Sequence, residues 1–113
     1  MKVLFVCTAN KLRSPTAETV FGAWDGVEVI SAGTSMDAPR PLDKELVAGV
    51  DLIFVMEPHH RERIRKKFKQ RPPDNRIITL HIPDEYDRDD PELMALLEDK
   101  AGSRIKAMAG RAD

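Results

Sequence analysis

Cys7 and Arg13 are separated by five residues near the start of the chain, in the run Cys7-Thr8-Ala9-Asn10-Lys11-Leu12-Arg13-Ser14. A thiolate is a strong nucleophile, and a guanidinium offers a planar fork that fits two oxygens of a phosphate. The spacing lets the backbone curl around one phosphoryl group, with the sulfur at the bottom and the guanidinium at the side. Successive amide hydrogens in such a curl form an anion nest, and a following helix adds the positive end of its dipole. The chemistry is then attack of Cys7 on phosphorus. Arg13 and the stretch Thr8, Ala9, Asn10, Lys11 and Leu12 bind the equatorial oxygens. Ser14 can donate its hydroxyl to the sulfur and steady it as a leaving group in the second step.

Expelling an alkoxide or phenolate needs a proton, so a carboxylic acid must reach the cradle. The same group, once deprotonated, can activate water against the phosphocysteine intermediate. Candidates crowd one stretch: Asp84, Glu85, Asp87, Asp89 and Asp90. Asp90 precedes Pro91 and reads as a helix cap. Asp87 and Asp89 read as solvated charge. Asp84 follows a proline soon after a strand end, which puts it on the same rim as Cys7. It is the expected acid, with Glu85 and Asp87 as rivals.

The elements that must position these residues follow from pattern. Val3–Val6 is a continuous apolar run, expected as a strand buried on both faces. Ser14-Pro15 reads as a helix start, a hydroxyl cap followed by proline, with the helix running to about Trp24 and burying Val20 and Trp24. Val27–Ser31 is a second strand, and Asp43 caps a short helix through Val47. Val50–Met56 is the clearest buried strand. A charged helix spans Pro58–Lys69, Pro72–Asn75 turns the chain, and Arg76–His81 is a fourth strand. After the acidic loop Ile82–Asp90, Asp90-Pro91-Glu92 opens a last helix carrying Leu93, Leu96 and Leu97, with fraying expected from Gly110. Strands alternating with helices imply an α/β fold, a parallel sheet with helices on both faces. Ligands of such folds bind at the carboxyl ends of the strands, where Cys7 stands.

A chain of 113 residues fits one domain, 1–113. A net charge of −1 argues against nucleic acid or anionic membrane as partner. The one cysteine has no disulfide mate within the chain, and no apolar run is long enough for a signal core or a membrane span. A cytoplasmic monomer is expected. His59 and His60 are adjacent and lack a ligand set, so no metal is implied; a solvated or satisfied histidine is the default for both, and His81 belongs to the fourth strand. From Glu57 to Arg71 there are seven basic and two acidic residues, and from Asp84 to Glu92 six acidic and one basic. These read as two solvated faces, or as a basic helix that docks an acidic partner.

Val3-Leu4-Phe5-Val6-Cys7, Asn10, Arg13-Ser14-Pro15 and Ala17-Glu18 closely resemble the N-terminal signature of the low-molecular-weight protein tyrosine phosphatases, in a short bacterial-type form. The likeness continues through Ser31-Ala32-Gly33-Thr34-Ser35, Asp51–Glu57 and Ile82-Pro83-Asp84-Glu85-Tyr86. It implies a three-layer sandwich on a four-stranded parallel sheet of order 2-1-3-4. It also implies cofactor-free hydrolysis of a phosphate monoester, expected to be phosphotyrosine in a protein, through phosphocysteine. A phosphorylated protein or small phosphate ester is the expected partner, and inorganic phosphate or sulfate should occupy the loop.

Asp84-Glu85-Tyr86 looks like the family's Asp-Pro-Tyr triplet, which makes Asp84 the acid and Tyr86 a ring at the pocket entrance. Ala9 replaces the usual glycine, Leu12 a frequent second cysteine, and Glu85 the proline. A helix-containing segment after Ser35 is missing, and with it an aromatic pocket wall and a histidine that braces Asn10. These departures keep a second function in view: a catalytically weak phosphate-binding or thiol redox-sensing module. The arsenate reductases of this fold need further cysteines, which this chain lacks.

Overall fold

The first strand, β1 (Lys2–Cys7), owes its central place to Val3, Leu4, Phe5 and Val6, all without solvent exposure. The computed structural model describes residues 1–111. Around β1 stand β2 (Glu28–Gly33), β3 (Leu52–Val55) and β4 (Ile77–Thr79), in the order β2-β1-β3-β4 and all parallel. The expected topology is therefore the observed one.

Alternation along β1 sorts the core into two halves. Val3, Phe5 and Cys7 pack with Phe54, Met56 and the helices α1 (Arg13–Phe21) and α4 (Pro91–Arg111). Leu4 and Val6 pack on the other face with Val47 of α2 (Lys44–Ala48) and Ile64 of α3 (Pro58–Lys67). Phe5 stacks on Phe21 and Phe54 with ring centroids 5.4 and 5.1 Å apart. Full burial of each ring stabilises by about 2–3 kcal/mol. These rings fix the height of β1, and so the height at which Cys7 emerges.

Two caps behave as their residues require. Asp43 Oδ1 accepts the Leu46 amide at 2.7 Å, and Asp90 Oδ1 accepts the Glu92 amide at 2.8 Å. Other boundaries differ from expectation. Helix α1 begins at Arg13 behind Leu12 and stops at Phe21, with Gly22 closing it, so Trp24 lies beyond the helix. Ser14 is not the cap, because its hydroxyl is committed elsewhere. Trp24 packs edge-on against Phe21 at 4.8 Å, partly buried at the margin of the core rather than within it. Strand β4 ends at Thr79, which leaves His81 exposed outside it with φ 56°. Helix α4 continues through Arg111, so Gly110 and Arg111 are helical where fraying was expected; the rest of that stretch, Ala112 and Asp113, lies outside the described residues. Among the described residues no helix is long and apolar enough to cross a membrane.

Candidate active site

Strand β1 delivers Cys7 to the carboxyl rim of the sheet, opposite Gly33 in β2. From there residues 8–12 curl back to start α1 at Arg13. Asn10 takes φ 56°, the left-handed region that asparagine tolerates better than most residues, and this reverses the chain inside the curl. Gly33 leaves the room: a Cβ there would lie 2.5 Å from the Thr8 carbonyl oxygen and 2.7 Å from Ala38 Cβ. Among the described residues, no acceptor pairs with the amide hydrogens of residues 8 to 14. The curl is therefore a set of unpaired donors on a helix N-terminus, the physical requirement for holding an anion.

The sulfur sits in a chain of oriented hydrogen bonds. Arg40 N–H donates to Asn10 Oδ1 at 3.2 Å, which turns the Asn10 amino group toward two hydroxyls. Asn10 Nδ2 donates to Ser31 Oγ and to Ser14 Oγ, each at 2.9 Å. With its oxygen accepting from Asn10, Ser14 has its hydroxyl hydrogen left to give, and Cys7 Sγ is 3.0 Å away. The Ala32 carbonyl at 3.4 Å is the weaker alternative acceptor. This is why Ser14 does not cap α1. The brace on Asn10 comes from Ser31 and from the Arg40 backbone, in the absence of the histidine that the resemblance implied.

Arg13 is 3% exposed and doubly held. Its Nη1 donates to Glu57 Oε1 at 2.5 Å and to the Ile82 carbonyl at 2.8 Å, gathering the ends of β3 and β4 around the loop. Its Nε lies 3.8 Å from Asp84 Oδ1. All three carboxylates competing for the acid's role are exposed, and Asp84 alone lies within 4 Å of Arg13. Asp89 is no free surface charge. Its amide donates to Thr16 Oγ1 and its Oδ1 accepts from Thr19 Oγ1, both at 2.9 Å, so it pins the acidic loop to α1. Tyr86 is half-buried against the core of the α1/α4 face. Partial burial and the carboxylates of Glu92, Glu85 and Asp90 push its hydroxyl pKa up. Ala9, Lys11 and Leu12 are exposed, Leu12 at 37%.

Two residues that sequence reasoning did not assign to the site complete it. Partial burial raises the Glu57 pKa, but hydrogen bonds from Arg13 and His59 more than offset this and leave it below the usual carboxylate value. His60 is wholly buried. Its Nδ1 accepts the Glu57 amide at 3.1 Å, so Nε2 carries the hydrogen and donates to Thr8 Oγ1 at 2.8 Å. Burial, then the nearby His59 and Arg13, lower its pKa to about 4, so the imidazole is neutral at neutral pH. His60 is satisfied, as the default held, yet it also ties α3 to the loop. The one available signal was the position of both residues, directly after a buried strand on the rim that carries Cys7.

A buried thiol beside a loop of unpaired amides, with a buried arginine and a carboxylate near it, thus stands at the carboxyl edge of a four-stranded parallel sheet. Residues 2–38 match the model of the family described as low molecular weight phosphotyrosine protein phosphatase. No curated protein sequence matches the chain.

Solved structures match along its whole length. The Wzb tyrosine phosphatase of Escherichia coli K30, in complex with phosphate, is 22% identical with a TM-score of 0.68, covering 99% of this chain and 98% of that one. A low molecular weight protein tyrosine phosphatase from T. tengcongensis is 24% identical with a TM-score of 0.71, covering 96% and 97%. The YwlE arginine phosphatase of Geobacillus stearothermophilus is 24% identical with a TM-score of 0.64, covering 98% and 92%. The fold is therefore similar to that of low molecular weight tyrosine phosphatases, and the first third of the chain matches their family model.

Proposed function

We propose that the protein is a cysteine-dependent phosphate monoester hydrolase working through phosphocysteine, with Cys7, Arg13 and Asp84 as its catalytic residues. The observation that carries this reading is the 3.0 Å contact of Ser14 Oγ with Cys7 Sγ, beneath a loop whose amides have no protein acceptor.

Cys7 attacks phosphorus in line with the departing oxygen, and Asp84 gives that oxygen its proton. Arg13 and the amides of residues 8–14 hold the three equatorial oxygens as charge builds on them. In the second step Asp84 takes a proton from water, which attacks phosphorus, and the Ser14 hydroxyl stabilises the leaving thiolate. Glu57 and Ile82 keep the guanidinium in register, so no reorganisation is needed at the transition state.

The partner is a phosphorylated protein or a small phosphate ester, met by a monomeric single-domain protein with inorganic phosphate as its simplest ligand. Tyrosine phosphatases among the similar structures support phosphotyrosine as the substrate, and an arginine phosphatase among them keeps phosphoarginine as the competing case. The single cysteine supports a reducing compartment, the cytoplasm.

Hydrolysis of 4-nitrophenyl phosphate tests the proposal. Wild type turns over, Cys7→Ser does not, and Asp84→Ala loses most of its rate. A wild-type protein that binds phosphate but releases no nitrophenol would falsify the hydrolase and favour a binding module.

A further inference from the structure

The stretch that carries Asp84 has few ties to the rest of the molecule. At its start the Ile82 amide donates to the Met56 carbonyl at 2.9 Å, and the Ile82 carbonyl accepts from Arg13. Among the described residues, the backbone hydrogen bonds from Pro83 to Asp87 close within the stretch itself, the Glu85 amide on Pro83 and the Asp90 amide on Asp87. Tyr86 leans on the core, and Asp84 is 63% exposed. Asp84 Oδ1 lies 3.8 Å from Arg13 Nε, beyond hydrogen-bond reach, so this contact does not hold it in place.

The far end is held at Asp89. Its φ of 61° is a left-handed conformation open to aspartate, asparagine and glycine. In that conformation both its polar groups meet α1: the amide donates to Thr16 Oγ1 and Oδ1 accepts from Thr19 Oγ1, each at 2.9 Å. Thr16 is wholly buried, and its own hydroxyl donates to the Leu12 carbonyl at 2.7 Å. One hydroxyl thus joins the acidic stretch to the last residue before Arg13.

Resting on the hydrolase reading with Asp84 as its acid, we propose that Asp89 is a positioning residue for that acid. Held at Ile82 and at Asp89, the stretch has its carboxylate set from both ends. Released at Asp89, it lets Asp84 wander to places from which the departing oxygen is out of reach. Thr19 donates to an oxygen that asparagine also carries, so the acceptor matters and the charge does not. Cys7, Arg13 and the loop amides keep their own partners when Asp89 changes.

The test is hydrolysis of phenyl phosphate and 4-nitrophenyl phosphate by Asp89→Gly, Thr19→Val and Asp89→Asn. Glycine accepts the same φ without an oxygen for Thr19, and valine keeps the shape of threonine without its hydroxyl. The ratio kcat/KM reports phosphorylation of Cys7, in which phenol needs a proton and nitrophenol does not. For nitrophenyl phosphate, kcat reports the water step, in which Asp84 is the base. In Asp89→Gly and Thr19→Val, kcat/KM for phenyl phosphate and kcat for nitrophenyl phosphate should each fall about tenfold, the order of one hydrogen bond to a charged group. For nitrophenyl phosphate kcat/KM should stay within about twofold of wild type, so that KM falls along with kcat. Asp89→Asn should match wild type, and Asp89→Gly should add no loss in an Asp84→Ala background.

A merely structural role would lower kcat/KM for both esters together, and that result overturns the proposal. So does an Asp89→Asn as impaired as Asp89→Gly. An Asp89→Gly that matches wild type, beside an Asp84→Ala slow on phenyl phosphate, removes the positioning role and leaves the hydrolase intact. An Asp84→Ala that hydrolyses phenyl phosphate at the wild-type rate takes the acid from the hydrolase reading, and the positioning role with it.

Discussion

Replacing His60 with glutamine separates two effects of its imidazole. Folded, the ring titrates at about 4, whereas an unfolded histidine titrates near 6.5. Between these values the unfolded chain binds a proton that the folded protein refuses. Stability therefore rises with pH through this window, is fully present above pH 6.5, and declines steadily down to about pH 4. The gap between the two values corresponds to at most about 3 kcal/mol, because solvent reaches the adjoining His59.

Glutamine cannot titrate. At pH 7.5 the variant loses the acceptor for the Glu57 amide and should be less stable by about 1–2 kcal/mol. On acidification that deficit shrinks and changes sign, because the wild type alone pays to keep position 60 neutral. Urea unfolding followed by the fluorescence of Trp24, the only tryptophan, at pH 7.5, 6, 5 and 4.5 reads the difference directly. Glutamine's Nε2 overlies that of histidine and keeps the Thr8 bond, whereas His60→Asn keeps the Glu57 bond and loses Thr8. Aryl phosphate turnover should therefore survive better in His60→Gln than in His60→Asn. Parallel stability-versus-pH curves for wild type and His60→Gln would refute the buried neutral imidazole.

Other residues give equally direct expectations. The Glu57 carboxylate has a lowered pKa when folded, so its stabilisation is present above about pH 4.5 and lost as pH falls through the folded value. Melting temperatures of Glu57→Gln and wild type should accordingly converge in acid, and a constant gap would contradict this. Gly33→Ala drives a methyl into the Thr8 carbonyl and should cost about 100-fold in kcat/KM, while thermal unfolding shows the sheet still formed. Asp84→Ala should slow the phosphorylation of Cys7 about 10²–10⁴-fold with a poor alkyl leaving group and much less with nitrophenol, which departs without a proton, while steady turnover of both falls through the slow water step. An equal loss in the first step for both would reassign the acid. Phe54→Ala, under the stacked rings, should lower unfolding free energy by about 3–5 kcal/mol in a denaturant titration.

The elements most legible in the sequence were those whose signal is local. The apolar runs at Val3–Val6 and Leu52–Val55 could only be buried strands, and Asp43 and Asp90 act on amides two or three residues away. Cys7, Arg13 and Ser14 were legible because one short loop holds all three. Where local signals failed, a tertiary partner had claimed the group. Ser14-Pro15 has the grammar of a helix start, but the hydroxyl bonds Cys7 and Asn10. Asp89 looks like a surface charge until Thr16 and Thr19, 73 and 70 residues earlier in sequence, arrive beside it. Glu57 and His60 reach the loop across 44 and 52 residues, a pairing that no periodicity encodes. Part of the brace on Asn10 was hidden for a different reason: beside Ser31 it comes from the backbone of Arg40, to which side-chain identity is silent.

The account stands on a covalent bond between phosphorus and one sulfur. Asp84→Ala mixed with 4-nitrophenyl phosphate should form that bond freely and hydrolyse it slowly, because nitrophenol needs no acid but the water needs a base. Rapid quenching and mass spectrometry of the peptide Lys2–Lys11 should find phosphate on Cys7, appearing with a burst of nitrophenol equal to the enzyme present. Steady release of phosphate from a protein whose Cys7 is never found phosphorylated would contradict the mechanism at its root.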